Sequence, residues 1–211
     1  MCNLALSLAA AGTRVVLVDG DLRRPQVHRY LDLPNAAGVS TVLTGRTPLS
    51  QALRWYPIGR GYVTIGGAEP PADASNGETG LTVLTSGPVP PNAAEIIASK
   101  SFASLITELK GRFDLLIVDA PALLAVGDTA AIAACVDGLV FLIDLTRAKR
   151  PLLTEAAAQV SRMPCRKLGL VVVDHPEGSR RERDHYAYYA QGDSPLDAKA
   201  RSRDRKKLVS T

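Results

Sequence analysis

Aromatic side chains are scarce in these 211 residues: one Trp, three Phe and six Tyr make up 5% of the chain. With 46% hydrophobic residues overall, the core has to be built from Ala, Val, Leu and Ile, the composition of helices laid over a parallel sheet. Cysteine is equally sparse. Cys2, Cys135 and Cys165 are too few and too widely spaced for a disulfide framework and suit buried thiols in a reducing compartment. The three histidines, His28, His175 and His185, lack the close pairing of zinc ligands. No run of about 18 apolar residues occurs, so no stretch reads as a membrane-spanning helix, and the Leu4–Ala11 run is too short and lacks the basic flank of a signal peptide. Charge is not extreme either. The net value of +4 is modest and concentrated towards the C-terminus, so no nucleic-acid partner is expected and the chain reads as cytoplasmic.

What the sequence does contain is an uninterrupted apolar run, Val15-Val16-Leu17-Val18, that ends in Asp19-Gly20-Asp21-Leu22-Arg23-Arg24-Pro25. Such a run predicts a strand covered on both faces. In an open parallel sheet, ligands sit outside the carboxyl ends of the strands, which is where Asp19 and Asp21 are delivered. A bland alternative is a strand-end turn whose aspartate caps the next helix. Phe113-Asp114-Leu115-Leu116-Ile117-Val118-Asp119-Ala120-Pro121 repeats the pattern, with Pro121 forbidding further ladder pairing.

Around these two strands the sequence alternates. Helices are expected over Cys2–Ala11, Gln26–Leu31, Gly38–Leu43, Pro48–Leu53, Ala93–Ser99, Phe102–Lys110 (closing at Gly111), Gly127–Val136 and Pro151–Met163. Further strands are expected at Leu81–Thr85, Gly138–Asp144, read as buried, and Leu168–Val173. Residues from Tyr56 to Gly80, dense in Gly, Pro, Asn, Asp and Ser, read as a surface excursion with one short strand at Tyr62–Ile65. The predicted architecture is α/β, a doubly wound, mostly parallel sheet over residues 1–176. Residues 177–211, rich in Arg, Asp and Ser, read as a disordered basic tail in which three of the six tyrosines, Tyr186, Tyr188 and Tyr189, cluster. Those hydroxyls either pack back on the domain or stand available for phosphorylation.

The two Asp-terminated strands, with Leu33-Pro34-Asn35, Gly38–Gly45, Pro90-Pro91-Asn92, Val136-Asp137-Gly138 and the tyrosine cluster, resemble the bacterial tyrosine kinases of capsule and exopolysaccharide machinery. These are members of the deviant-Walker group of P-loop ATPases. The resemblance implies an ATP- and Mg2+-dependent protein-tyrosine autokinase acting in trans within a homo-oligomer. It also implies an activating membrane chain-length-determinant protein, and a location at the inner face of the membrane through that partner. Carried over by position, Asp19 and Asp21 belong to the Walker A′ site and Asp119 to Walker B. Asp19 becomes the candidate for orienting or deprotonating the tyrosine hydroxyl, Asp21 shares the catalytic site, and Asp21 with Asp119 holds the metal shell. Arg23 and Arg24 offset phosphate charge, bind a neighbouring subunit, or form a surface salt bridge. Asp174 stands where relatives carry an asparagine near the adenine, and an ionised carboxylate there accepts hydrogen bonds but donates none. Tyr186, Tyr188 and Tyr189 become the phosphoacceptors.

One departure is large. The loop Gly-x-x-x-x-Gly-Lys-Ser/Thr, whose amides and lysine cradle phosphates, is not among the 211 residues, while Asn3-Leu4-Ala5 resembles the helix that follows it. The expectation is an N-terminally truncated kinase reading frame, with the first strand and the Walker A loop upstream of Met1 and no catalysis from this chain alone. A partitioning or division-site-positioning ATPase of the same group, or a non-catalytic scaffold, are the alternatives.

Overall fold

The computed structural model describes residues 1–58, 79–125 and 127–173. Its elements run α1 (Cys2–Ala10), β1 (Val15–Asp19), α2 (Val27–Tyr30), α3 (Val39–Leu43), α4 (Leu49–Ala52), β2 (Arg54–Pro57), β3 (Gly80–Leu84), α5 (Ala93–Ile97), α6 (Lys100–Arg112), β4 (Leu115–Asp119), α7 (Asp128–Ala133), β5 (Gly138–Asp144), α8 (Arg150–Arg162) and β6 (Arg166–Val173). They sort into two compact units. One comprises Met1–Val140 with Arg150–Gly169; the other comprises Phe141–Lys149 with Leu170–Thr211, of which residues 141–149 and 170–173 are described.

Four strands form the main sheet in the order β2-β3-β1-β4, with β1 parallel to both β3 and β4 and β2 antiparallel to β3. The α/β reading therefore holds, with one antiparallel edge strand. All five residues of β1 are buried because the sheet is covered on both sides. Alternation along a strand sends successive side chains to opposite faces. Val15 and Leu17 join Cys2, Ala5, Ala9, Val27, Leu31, Leu81 and Val83 in one apolar layer. Val16 and Val18 join Leu84, Ile97, Phe102, Ile106 and Leu109 in the other. The second layer depends on α6, which starts at Ser99, whose Oγ accepts from the Phe102 N–H at 3.2 Å. Such a cap satisfies one of the amides the first turn leaves unbonded.

Three expectations are corrected. β2 is a strand where the sequence predicts no regular element, between the end of the helix at Leu53 and the first residues of the excursion from Tyr56. It carries no apolar alternation and contains Pro57, which an edge strand tolerates because one side of its ladder is open. α6 does not close at Gly111 but continues to Arg112, with the Phe113 N–H bonded to Leu109 O at 3.1 Å; a glycine near a helix end costs only about 1 kcal/mol. β5 is not a buried strand. It pairs with β6 in a separate two-stranded sheet, and Val140 and Leu142, which share one face of the strand, remain about half exposed. Among the described residues, β4 has a strand partner on one edge, β1. The short strand expected at Tyr62–Ile65 lies outside the described residues. All three cysteines are free thiols, Cys2 and Cys165 buried.

Candidate active site

Parallel pairing in register sets Asp19 beside Asp119, so the two Asp-terminated strands finish at the same level. Gly20 continues that contact. Its N–H donates to Asp119 O at 2.8 Å, and a Cβ at this position would lie 2.9 Å from the same oxygen and 3.0 Å from Val118 Cγ1. A glycine is therefore required for the two strand ends to approach so closely.

Asp19 is fully buried. Its Oδ2 accepts from the Val27 N–H at 3.2 Å and its Oδ1 from the Asp21 N–H at 3.3 Å, which ties the strand end to the first turn of α2. Burial, then the charge of Asp119, pushes its carboxyl up to about 8, against the opposing pull of the Val27 amide. Asp119 is raised as well, first by burial. Asp21, also buried, accepts the N–H groups of Arg23 at 3.1 Å and Arg24 at 2.9 Å on Oδ1 and so shapes the turn that follows it.

Arg23 leaves this turn towards α7. Its Nε donates to Asp128 Oδ2 at 2.8 Å and its Nη2 reaches Oδ1 at 3.5 Å. Of the roles open to Arg23 from sequence, an ion pair is the one on display. Asp128 was not singled out in sequence because it stands at an ordinary helix start, 105 residues from its partner. Asp174, Tyr186, Tyr188 and Tyr189 lie outside the described residues.

The donor set can be tested against a divalent cation. No group of three His, Cys, Asp or Glu side chains among the described residues is disposed to hold an ion directly. Direct chelation by all three aspartates is therefore not the arrangement present, since Asp19 and Asp21 already accept backbone amides. The set instead fits a hydrated Mg2+, which gives up its waters reluctantly and is commonly held through one or two carboxylates. Burial raises the proton affinity of both Asp19 and Asp119, the charge of Asp119 adds to it at Asp19 and that of Asp21 at Asp119, and this cluster supplies the negative potential such an ion relieves. The phosphates of a nucleotide find no such fit, because the glycine-rich loop and lysine are not among these residues. Among the described residues no helix is long and apolar enough to cross a membrane.

No family model matches the chain. Individual proteins do. The tyrosine-protein kinase YwqD of Bacillus subtilis is 32% identical over 192 residues, covering 91% of this chain and 71% of its own. The putative tyrosine-protein kinase CapB of Staphylococcus aureus is 29% identical over 189 residues, covering 90% and 73%. Among solved structures, the chimerical protein CapA2B2 superposes with a TM-score of 0.68 at 26% identity, over 82% of this chain and 67% of that one. The septum site-determining protein MinD of Pyrococcus horikoshii, solved with Mg-ADP, gives 0.55 at 19% identity over 81% and 61%, a likeness of fold alone. Paired Asp-terminated strands in register, a P-loop-type sheet and YwqD's identity over most of both chains lead to one conclusion: this chain belongs to the bacterial tyrosine kinases.

Proposed function

We propose that the chain is the carboxylate-bearing part of an ATP-dependent protein-tyrosine autokinase that regulates capsular or exopolysaccharide biosynthesis and export. The observation that carries this reading is the in-register contact of Asp19 with Asp119 at the strand ends, sealed by the Gly20–Asp119 bond. In this proposal Asp19 orients and deprotonates the attacking tyrosine hydroxyl, its raised proton affinity matching it to a base near neutral pH. Asp21 and Asp119 hold a hydrated Mg2+, the ion that would neutralise charge on the transferred phosphoryl group.

Residues 1–176 form the domain in this reading, and residues 177–211 the tail that offers Tyr186, Tyr188 and Tyr189 to a second copy. Asp174 takes the adenine position. The copies assemble in trans and meet an activating membrane chain-length-determinant protein at the inner face of the membrane. CapA2B2, a chimera by name, is the relative that supports a joined partner.

Mass spectrometry of the protein isolated from its native cells tests the proposal. Phosphate on Tyr186, Tyr188 or Tyr189, lost when Asp19 is replaced by Asn in the chromosome, is the expected result. Nucleotide hydrolysis with unmodified tyrosines would overturn it in favour of a positioning ATPase. Modification that persists without Asp19 would favour a scaffold phosphorylated by another enzyme.

A further inference from the structure

The loops leaving β1 and β4 are fastened together at a second point beyond the Gly20–Asp119 bond. Asp128 opens α7 with only 5% of its surface exposed and receives Arg23 Nε at 2.8 Å and Nη2 at 3.5 Å. Thr129, the next residue, donates its hydroxyl to Pro121 O at 3.0 Å, which anchors the start of α7 to the beginning of the loop that leaves β4. Burying a carboxylate costs free energy that its ion pair roughly offsets, so a pair of this kind adds little net stability and its effect lies in the geometry it enforces.

The backbone that carries the Arg23 guanidinium also shapes the Asp21 turn. The amides of Arg23 and Arg24 both donate to Asp21 Oδ1, at 3.1 and 2.9 Å. Drawing Arg23 onto Asp128 therefore fixes the segment against which the Asp21 carboxylate is held. We infer that Asp128 is a positioning residue: through its ion pair with Arg23 it locks the turn that orients Asp21 towards a divalent cation bound at the strand ends. This inference rests on the proposed role of Asp21 in holding that cation. Asp128 touches neither cation nor substrate and acts through Arg23 alone, in the manner of outer-shell partners that orient metal ligands.

Two measurements on the full chain test it. The first is amide hydrogen exchange without metal. Asp128→Asn keeps the side-chain volume but removes the charge, and it is expected to speed exchange at the Arg23 and Arg24 amides by about tenfold or more while leaving the Phe102 amide unchanged, as local opening would. The second is Mn2+ binding followed by electron paramagnetic resonance, with Mn2+ alone as the probe. D128N is expected to weaken binding by about tenfold, within the range that loss of an outer-shell partner causes, and D21N at least as much.

Unchanged exchange at Arg23 and Arg24, or wild-type Mn2+ affinity in D128N while D21N loses it, overturns the inference and leaves the proposed site standing. Wild-type affinity in D21N overturns the site reading itself and the inference with it. Should D128N fail to fold, Arg23→Gln breaks the same pair from its half-exposed side and is read by the same two measurements. A merely structural pair would lower the melting temperature equally with and without Mn2+ and would leave its affinity untouched.

Discussion

Replacing Asp19 by Asn is expected to remove most of the pH dependence of stability from the cation-free chain. In the folded protein its carboxyl is pushed up to about 8 by burial and by Asp119, whereas unfolding returns it to 3.8. Between those values the folded form keeps a proton that the unfolded form releases, so this contribution is fully present below 3.8 and is lost as pH rises through about 8. One retained proton changes stability by roughly 1.4 kcal/mol per pH unit. Over the whole window the loss is on the order of 5 kcal/mol, a large part of the about 5–15 kcal/mol that holds a typical domain. Asp119, raised by burial, adds to it in the same direction.

D19N carries no titrating proton, but its amide NH2 meets one of the two backbone N–H donors that Asp19 now accepts, at a cost of about 1 kcal/mol. It should therefore be slightly less stable than the natural chain in mild acid and clearly more stable near the upper end of the window. Urea unfolding in the presence of a chelator, followed by far-ultraviolet circular dichroism at a series of pH values from about 5 to 8, measures the difference. Two parallel stability curves would refute the assignment of a buried, proton-holding carboxyl at the end of β1.

Three other outcomes are expected. A Cβ on residue 38 would lie 2.1 Å from Thr85 O and 2.3 Å from Gly87 N, both backbone atoms of a neighbouring loop, so Gly38→Ala should cost more than about 3 kcal/mol; an unchanged urea midpoint contradicts this. Phe102, fully buried in the layer under α6, should cost about 3–5 kcal/mol when cut to Ala, read by the same unfolding assay. Residues 1–211 incubated with ATP and Mg2+ should give no phosphotyrosine signal on immunoblotting, because the loop that positions the phosphates supplies both orientation and charge stabilisation. Strong self-phosphorylation of this chain would show that reasoning to be wrong.

The main sheet was legible because β1 and β4 are unbroken aliphatic runs with a single abrupt stop, although of the two only β1 is buried along its whole length and Leu115 of β4 is exposed. Asp19, Asp21 and Asp119 followed from where those runs end. β2 was illegible for the opposite reason: Arg54-Trp55-Tyr56-Pro57 carries no apolar period, and it is a strand because it can ladder onto β3 and lay Trp55 against Gly80. The exposure of β5 escaped notice because an aliphatic run records how much a strand would gain from cover, not whether cover is supplied. Asp128 shows the same limit at the site. Its partner is distant in sequence, and only the parallel register of β1 with β4 brings the two loops within reach. The backbone amides of Val27, Asp21, Arg23 and Arg24, which hold the Asp19 and Asp21 carboxylates, were equally illegible, because they belong to the turn geometry after β1 and to no side-chain pattern.

β6 shapes how the molecule behaves in solution. Leu168, Leu170, Val171 and Val172 are all wet, and since neighbouring side chains on a strand point opposite ways, this is an adhesive ribbon that is greasy front and back. A chain handled in this form is expected to cluster as its concentration rises, which light scattering over a dilution series would read. Co-expression with whatever shields that ribbon is the route to a monodisperse sample, and substituting Lys on its outward positions is the substitute when no shield is at hand.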